Sequence, residues 1–323
     1  MTTARVQTAG PPATASPTVA IGGQLLGSSR LPVVAGPGTG ADVVRLDLRR
    51  LHGCNDAETV LREARGEVAA PLLVEPFSAA DLPALERHAD AIMVGAAWMQ
   101  DFRLLSAVGR IGLPVVVQRG QHATVAEWVS SADYVLAAGN ARVVLCESGS
   151  RTHLDRRRTL DLALVREVRE GTGMPVVVEV TGSPWLAGAA VAAGADGLLL
   201  DESAPAPDVA TALEAATTLA PLVRQVGPAS LPACREAIDR VDATLASLLE
   251  YRAALATEVQ RHKPVRGHAG RDPAREAQIV HAMAHRAPSL GKERLAAVMD
   301  AVISVGLDVS EEQLPPEPPV WRL

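Results

Sequence analysis

The chain has few aromatic residues, few cysteines and no long uninterrupted apolar segment. Aromatics make up 2% of its 323 residues, so Val, Leu, Ile and Ala must fill the interior, for which a hydrophobic content of 48% is ample. The cysteines Cys54, Cys146 and Cys234 are far apart and lack CxxC spacing, which predicts the reduced thiols of a cytoplasmic protein. Because no run of ~18 apolar residues occurs, we expect no membrane span.

The charge balance and the N-terminal residues exclude two further classes of protein. A net charge of −6 argues against a general nucleic-acid binder, although it allows a local basic pocket for a small anion. Residues 1–17 lack the apolar core of a signal peptide, and their Ala, Thr and Pro content predicts a disordered leader.

Eight short β-branched runs lie between residues 32 and 201, and helix-like segments separate most of them. Continuous apolar runs are typical of strands buried on both faces, so residues 18–225 predict a (β/α)8 barrel, with a doubly wound open sheet as the alternative. Only residues 36–42 separate the first two runs, whereas a parallel crossover usually takes about ten or more residues. We therefore expect an incomplete barrel whose first helix is missing, preceded by a hairpin in VAIGGQLLGSSRLPVV. The runs are PVVA (32–35), VVRLD (43–47), LLVE (72–75), AIMVG (91–95), VVVQ (115–118), VVLCE (143–147), VVVEV (176–180) and GLLLD (197–201).

The pattern becomes entirely helical after a predicted linker at residues 226–231. Residues 232–313 predict a three-helix domain, and the Pro-rich residues 314–323 predict a tail outside any packed element. The first helix carries a heptad seam. The seam consists of Ile238, Leu245, Arg252 and Val259, interleaved with Val241, Leu248 and Leu255.

Arg252 places a charge where the seam requires an apolar residue. A buried guanidinium is costly unless an anion pairs with it, so either a carboxylate of a neighbouring helix or a bound anionic ligand must do so. Lys263 returns to the same helix face ~16 Å further along, and the two cations could hold a small dianion between them. Arg235 lies on a different face and could contribute only from a second subunit. Asp272 by itself predicts no more than a helix N-cap.

These charged positions together resemble the all-helical chorismate mutase family. The match needs no gap from Arg235 to Glu276, through IDRVD and LLEYR. The resemblance implies a homodimer without metal or cofactor that rearranges chorismate to prephenate, a reaction that requires positioning and positive charge. By position, Arg235 of the partner subunit and Arg252 would each bind one carboxylate of the substrate, and Arg275 would support these carboxylates. Lys263 would donate to the ether oxygen of the breaking C–O bond. Asp272 and Glu276 would orient the ring hydroxyl.

The resemblance weakens towards the end of the domain. The family carries a small hydroxyl residue and, four positions later, a Gln or Glu at the ether oxygen. An ungapped count from Glu276 places Asp308 and Glu312 there, whereas Ser310 or Gln313 would serve in a shifted helix. Because Asp308 departs from the pattern, 4-amino-4-deoxychorismate stays open as an alternative substrate.

Residues 18–215 resemble DAHP synthase of the type that is sometimes fused to this mutase. That family binds a divalent metal through Cys, His, Glu and Asp, but the matching positions here are Gly38, Gly182, Asp201 and Pro205. We therefore expect a non-catalytic barrel that supports, dimerises or regulates the mutase. In the alternative, the protein is a regulatory scaffold that binds a partner, such as an active DAHP synthase. The motifs that carry the resemblance are VAGPG (34–38), GAAWMQDF (95–102), QRGQHATVAEW (118–128) and AAGADGLLLDE (192–202).

Overall fold

The computed structural model describes residues 18–28, 30–51, 56–151, 158–223 and 230–313. The predicted leader at 1–17, the predicted tail at 314–323, most of the predicted linker and Cys54 lie outside these residues. The packing separates two compact units between Arg240 and Val241, which is a position inside a helix and not at the predicted linker.

Eight parallel strands of the first unit close into a barrel, as the sequence predicts. No helix lies between the first two barrel strands, so the expectation of a missing first helix is confirmed. An antiparallel hairpin, β1 and β2, precedes the barrel, and β9 and β10 form a second small antiparallel pair. The hairpin strands are β1 Val19–Ile21 and β2 Gln24–Leu26, and the second pair is β9 Ser150–Arg151 and β10 Arg158–Thr159. The barrel strands, in neighbour order, are β3 Val33–Ala35, β4 Val43–Asp47, β5 Leu72–Glu75, β6 Ala91–Val94, β7 Val115–Gln118, β8 Val143–Glu147, β11 Val176–Glu179 and β12 Gly197–Leu199.

The barrel helices begin at polar caps that the sequence provides. Thr124 and Glu127 form a reciprocal capping box, and Asp101 accepts from two backbone amides of the next helix. Gly112 ends that helix with φ 77°, a left-handed conformation that glycine adopts without steric cost. The helices are α1 Leu48–Leu51, α2 Ala57–Glu67, α3 Leu82–His88, α4 Phe102–Ile111, α5 Val125–Ala137, α6 Leu162–Thr172, α7 Ala187–Ala193 and α8 Ala206–Val223.

Alternate residues of the barrel strands build two separate apolar layers. One set packs outward against the helices, while the other set, including Leu73 and Met93, fills the barrel together with Ile21 and Leu26 of the hairpin. Since neither layer depends on aromatic residues, their scarcity does not weaken the core. Trp128 is an exception: it is fully buried, and its indole Nε1 donates to a strand carbonyl at 2.9 Å.

Three helices form the second unit and the segment leading into it. They are α9 Leu231–His262, α10 Pro273–Arg286 and α11 Gly291–Gln313. Leu295, Met299 and Leu307 of α11 are buried, whereas α9 exposes a long apolar face. No described helix is both long and apolar enough to cross a bilayer. The exposed apolar face of α9 comprises Ile238, Val241, Leu245, Leu248, Leu249, Leu255 and Val259.

Candidate active site

A cavity of about 280 Å³ lies among the three helices of the second unit. Five of the seven residues predicted from the sequence line it: Arg252, Lys263, Asp272, Arg275 and Glu276. The helical spacing thus brings these distant positions together as expected. The remaining lining residues are Leu255, Ala256, Val259, Gln260, Gly270, Arg271, Ile279, Ile303 and Leu307.

Arg252 and Lys263 place uncompensated positive charge in the cavity. The half-buried Arg252 donates through Nη1 to the carbonyl oxygen of Val302 at 3.3 Å. The Nζ of Lys263 donates to the carbonyl oxygen of Gly270 at 2.6 Å. Neither cation has an ion-pair partner among the described residues, so for Arg252 the structure supports a ligand over a neighbouring carboxylate.

The start of α10 supplies three further charged groups. Asp272 caps the helix, since its Oδ1 accepts from the backbone amides of Ala274 and Arg275 at 3.0 Å each. The exposed Arg275 donates only to the neutral amide of Gln278, at 3.4 Å. Glu276 has a pKa below its ordinary value because a neighbouring arginine donates hydrogen bonds to its carboxylate. The cap therefore fixes the backbone from which two site side chains project.

That neighbouring arginine, Arg271, is a cavity residue to which the sequence assigned no role. Its Nε and Nη2 donate to Glu276 at 2.9 and 2.8 Å, and Nη2 also contacts Asp300 at 2.7 Å. A signal was present in the sequence: an arginine five residues before a glutamate, directly before the N-cap Asp272, can fold back over the first turn.

Hydrogen bonds fix the connection between α9 and α10. The buried Gln260 accepts from the amide of Gly267 at 2.9 Å, and the Nε2 of His268 lies 2.8 Å from Oδ1 of Asp308. Gly267 has φ +62°, and a Cβ on it would lie 2.0 Å from Oε1 of Glu311. This connection carries Lys263 at one end and Arg271 at the other, so its conformation sets the distance between two cavity cations.

The C-terminal half of α11 meets the cavity through other residues than those counted from the sequence. Glu312 is exposed and does not line the cavity, and the exposed Asp308 pairs with His268. Ile303 and Leu307, which are also four residues apart, line it instead. The roles counted for Asp308 and Glu312 therefore stay predictions.

The alternative residues Ser310 and Gln313, and Arg235, which is predicted to act in a partner subunit, do not line the cavity. Ser310 is buried, donates to the carbonyl of Gly306 at 2.6 Å and lies 3.1 Å from the hydroxyl of Thr257. Gln313 approaches the same hydroxyl at 3.5 Å. Arg235 is exposed on α9 and does not line the cavity, so its contribution from a second subunit stays a prediction.

Buried ion pairs occupy the carboxyl ends of the barrel strands, where barrels of this type carry their active sites. Arg45 contacts Glu75 at 2.8 Å, and Arg49 lies 2.5 Å from the other oxygen of that carboxylate. Burial raises the pKa of Glu75 in spite of these cations. Gln118 donates to Glu179 at 2.5 Å. Glu75 and Glu179 are therefore paired with neighbouring side chains, whereas the buried Nε of Arg45 makes no hydrogen bond to any residue that the structure describes.

The barrel residues do not fit the divalent metal that the synthase resemblance implies. No group of three His, Cys, Asp or Glu that could hold an ion occurs within the described parts of the chain. Gly38 and Gly182 occupy two ligand positions with φ +74° and +71°, and Pro205 a third. The remaining carboxylate, Asp201, accepts from Arg50 at 3.2 Å.

Comparisons with known proteins agree with this two-part organisation. The DAHP synthetase I family model matches residues 52–224, and the chorismate mutase type II model matches residues 234–311. The phospho-2-dehydro-3-deoxyheptonate aldolase of Thermotoga maritima is 36% identical over 158 residues, which are 46% of either chain. The 2-dehydro-3-deoxyphosphooctonate aldolase of Methylococcus capsulatus is 27% identical over 174 residues, which are 48% of this chain and 60% of the relative. The chain thus spans less than two thirds of these relatives.

Solved structures share the barrel. A crystal structure of the Thermotoga maritima DAHP synthase has a TM-score of 0.53 at 28% identity and covers 58% of this chain and 64% of that chain. A truncated form of 3-deoxy-D-arabino-heptulosonate 7-phosphate synthase from the same organism has a TM-score of 0.56 at 26% identity and covers 66% of this chain and 95% of that one. Since the first family model matches more than half of the sequence, the chain belongs to the DAHP synthetase I family, and a chorismate mutase type II domain follows its barrel.

Proposed function

We propose that the helical domain is a chorismate mutase that rearranges chorismate to prephenate. One observation carries the proposal: Arg252, Lys263 and Arg275 line a single small cavity, and none of them has an ion-pair partner among the described residues. Such a cavity favours a small molecule with more than one negative charge. The family match supports chorismate, a dianion, as that molecule.

The geometry suits a rearrangement that needs no nucleophile. Arg252 and Arg275 would hold the carboxylates and keep the substrate folded, which removes much of the entropic barrier. Lys263 would donate to the ether oxygen as its bond to carbon breaks and negative charge develops there. Glu276 would accept a hydrogen bond from the ring hydroxyl, next to Asp272. Each group belongs to a helix or to the hydrogen-bonded connection between helices, so little reorganisation is required.

The active form in this proposal is a homodimer in which Arg235 enters the cavity of the partner. The exposed apolar face of α9 would be unfavourable in water unless another surface covers it. A groove of about 660 Å³ between α10 and α11 shares Glu276 and Ile303 with the cavity and offers Val280 and Met299 as apolar contacts. The α9 helix of a second copy would fill this groove and cover its own exposed apolar face at the same time. Light scattering would then report twice the chain mass.

For the barrel we propose a structural or regulatory role without DAHP synthase activity. Two observations support this: three of the four metal-ligand positions are filled by residues whose side chains cannot coordinate an ion, and buried ion pairs occupy the mouth. The aldolase names of the relatives describe those proteins, which this chain covers only in part. An assay for DAHP formation with added divalent metal would overturn this role if it gave turnover.

A second candidate function is a mutase that works well only with a partner, such as an active DAHP synthase. The apolar pair Ile303 and Leu307 favours it, because these side chains cannot donate to the ether oxygen and leave that task to Lys263. The substrate 4-amino-4-deoxychorismate stays a third candidate, since no described residue has been shown to select between hydroxyl and amino groups.

The decisive experiment measures the loss of chorismate by the purified full chain. Arg252→Ala removes a cavity cation, whereas Arg261→Ala is a matched control on the same helix, where Arg261 makes only a surface pair with Glu258. Turnover to prephenate that the first change abolishes and the second leaves intact supports the proposal. Turnover of the amino analogue alone would replace the substrate. Activity that appears only when the synthase is added would support the partner-dependent role.

A further inference from the structure

Arg271 occupies a central place in the cavity that the proposed mechanism does not use. Its guanidinium binds both oxygens of Glu276 on α10 and reaches Asp300 on α11, with Ser304 at 3.5 Å. The side chain keeps only 26% of its exposure, although it extends from a loop. A planar guanidinium can make two parallel bonds to one carboxylate and still use a third donor, which lysine cannot do.

The paired hydrogen bonds from Arg271 to Glu276, called the clamp below, matter because of the charge of the cavity. Glu276 faces the space that a dianion would fill, and an unpaired carboxylate there would repel the ligand. Pairing with Arg271 cancels that charge, so Arg252, Lys263 and Arg275 are left to attract the substrate. The same pairing fixes the orientation of the carboxylate, which otherwise rotates about its own side-chain bonds.

We propose that Arg271 is a positioning residue that holds Glu276 in place and ties the cavity wall of α10 to that of α11. This inference rests on the proposed mutase function. Arg271 acts through Glu276 and not on the reacting atoms. Its hydrogen bonds also lower the pKa of Glu276, so the acceptor stays ionised when the solution is made more acidic. Several other titratable or charged groups line the spaces that Glu276 faces: Asp272, Arg275 and His281 of α10, Lys292, Glu293 and Asp300 of α11, and Arg252 and Lys263 from the side of α9.

The test compares three variants of the full chain. Arg271→Met removes the clamp, Arg271→Lys keeps the charge but not the paired bonds, and Arg286→Met is a control at the exposed end of α10. Circular dichroism checks that each variant folds. We measure kcat and KM for chorismate across the acidic range and also follow the titration of Glu276 by carbon-13 NMR, with Glu276→Gln to assign its signal.

The expected result is a loss of about 10- to 100-fold in kcat/KM for Arg271→Met, the range of a hydrogen bond to a charged group. Arg271→Lys should recover part of the loss, and Arg286→Met should match the wild type. Without the clamp the pKa of Glu276 rises, so activity should fall at a higher pH on the acid side. A folded Arg271→Met with wild-type kcat/KM and an unshifted acid limb would overturn the proposal; if this variant does not fold, a folded Arg271→Lys with wild-type kcat/KM would do so, because lysine cannot make the paired bonds.

The NMR measurement separates this inference from the proposed function. If the wild type turns over no chorismate, the mutase proposal fails. The titration of Glu276 still decides whether the clamp exists: a raised pKa in Arg271→Met supports it, and an unchanged pKa contradicts it.

Discussion

Replacing Arg252 by methionine should separate the stability of the helical domain from its activity. Arg252 lies at a seam position of α9 that otherwise carries apolar residues, and its described contact is one long bond to the carbonyl of Val302. Val302 lies within α11, so its carbonyl oxygen can accept the regular hydrogen bond from a backbone amide one turn further along the helix. Losing the arginine therefore leaves no buried acceptor unpaired, while it removes the cost of a half-buried charge.

The two effects can be weighed from the structure. A long hydrogen bond from a charged donor adds about 1 kcal/mol to the free energy of unfolding. Replacing a poorly paired charge by an apolar side chain of similar length raises that free energy by about 1 to 2 kcal/mol. We expect Arg252→Met to leave the domain equally stable or more stable by up to about 1 kcal/mol. Turnover of chorismate should fall by about 100-fold or more, because a preorganised cation is lost.

Because the chain has two units, a single melting curve would mix their transitions. Hydrogen exchange of peptides from α10 and α11, read by mass spectrometry, reports the helical domain alone. Arg252→Ala is the control for lost packing and should exchange faster than Arg252→Met. Faster exchange in Arg252→Met than in the wild type would refute the reasoning, since the arginine would then have a structural partner.

Three further predictions test other parts of the molecule. Leu307→Gln should raise kcat by about tenfold, because it adds a donor beside the proposed ether-oxygen position, and stopped assays of chorismate loss would detect it; a lower kcat would count against that position. Gly267→Ala should destabilise the connection after α9 by about 1 to 3 kcal/mol and raise KM, since its positive φ strains the backbone of any residue with a Cβ; an unchanged KM would contradict this role. Arg119→Met should speed hydrogen exchange of barrel peptides, because the loss of a buried partner at 2.5 Å from Glu147 costs about 3 to 5 kcal/mol; unaltered exchange would show that the pair is dispensable.

The barrel was predictable from the sequence because its strands are coded locally. Each continuous run, such as VVVQ or VVLCE, has the length and branching that a strand buried on both faces requires, and each became a barrel strand. The short spacing of residues 36–42 also predicted the missing first helix by itself, because no crossover helix fits between these two strands.

The cavity was predictable only in part. Arg252 and Lys263 share a face because both belong to one regular helix, and the helical period fixes their relation. The sequence could not place Glu312 relative to the cavity, because its position depends on how the turn between α10 and α11 sets the register of another helix. Arg271 was overlooked although its partner Glu276 lies only five residues away; its second contact, with Asp300 on α11, depends on tertiary packing.

The sequence by itself determined which segments are strands and helices and which charged residues can share one helix face, because these properties depend on neighbours within a few turns. Only the tertiary structure decided which side chains of α11 meet the cavity and how the connection after α9 folds back. It also decided which cations find a carboxylate and which are left for a ligand. Those outcomes depend on distances between elements, and such distances are set by packing and loop closure over the whole domain.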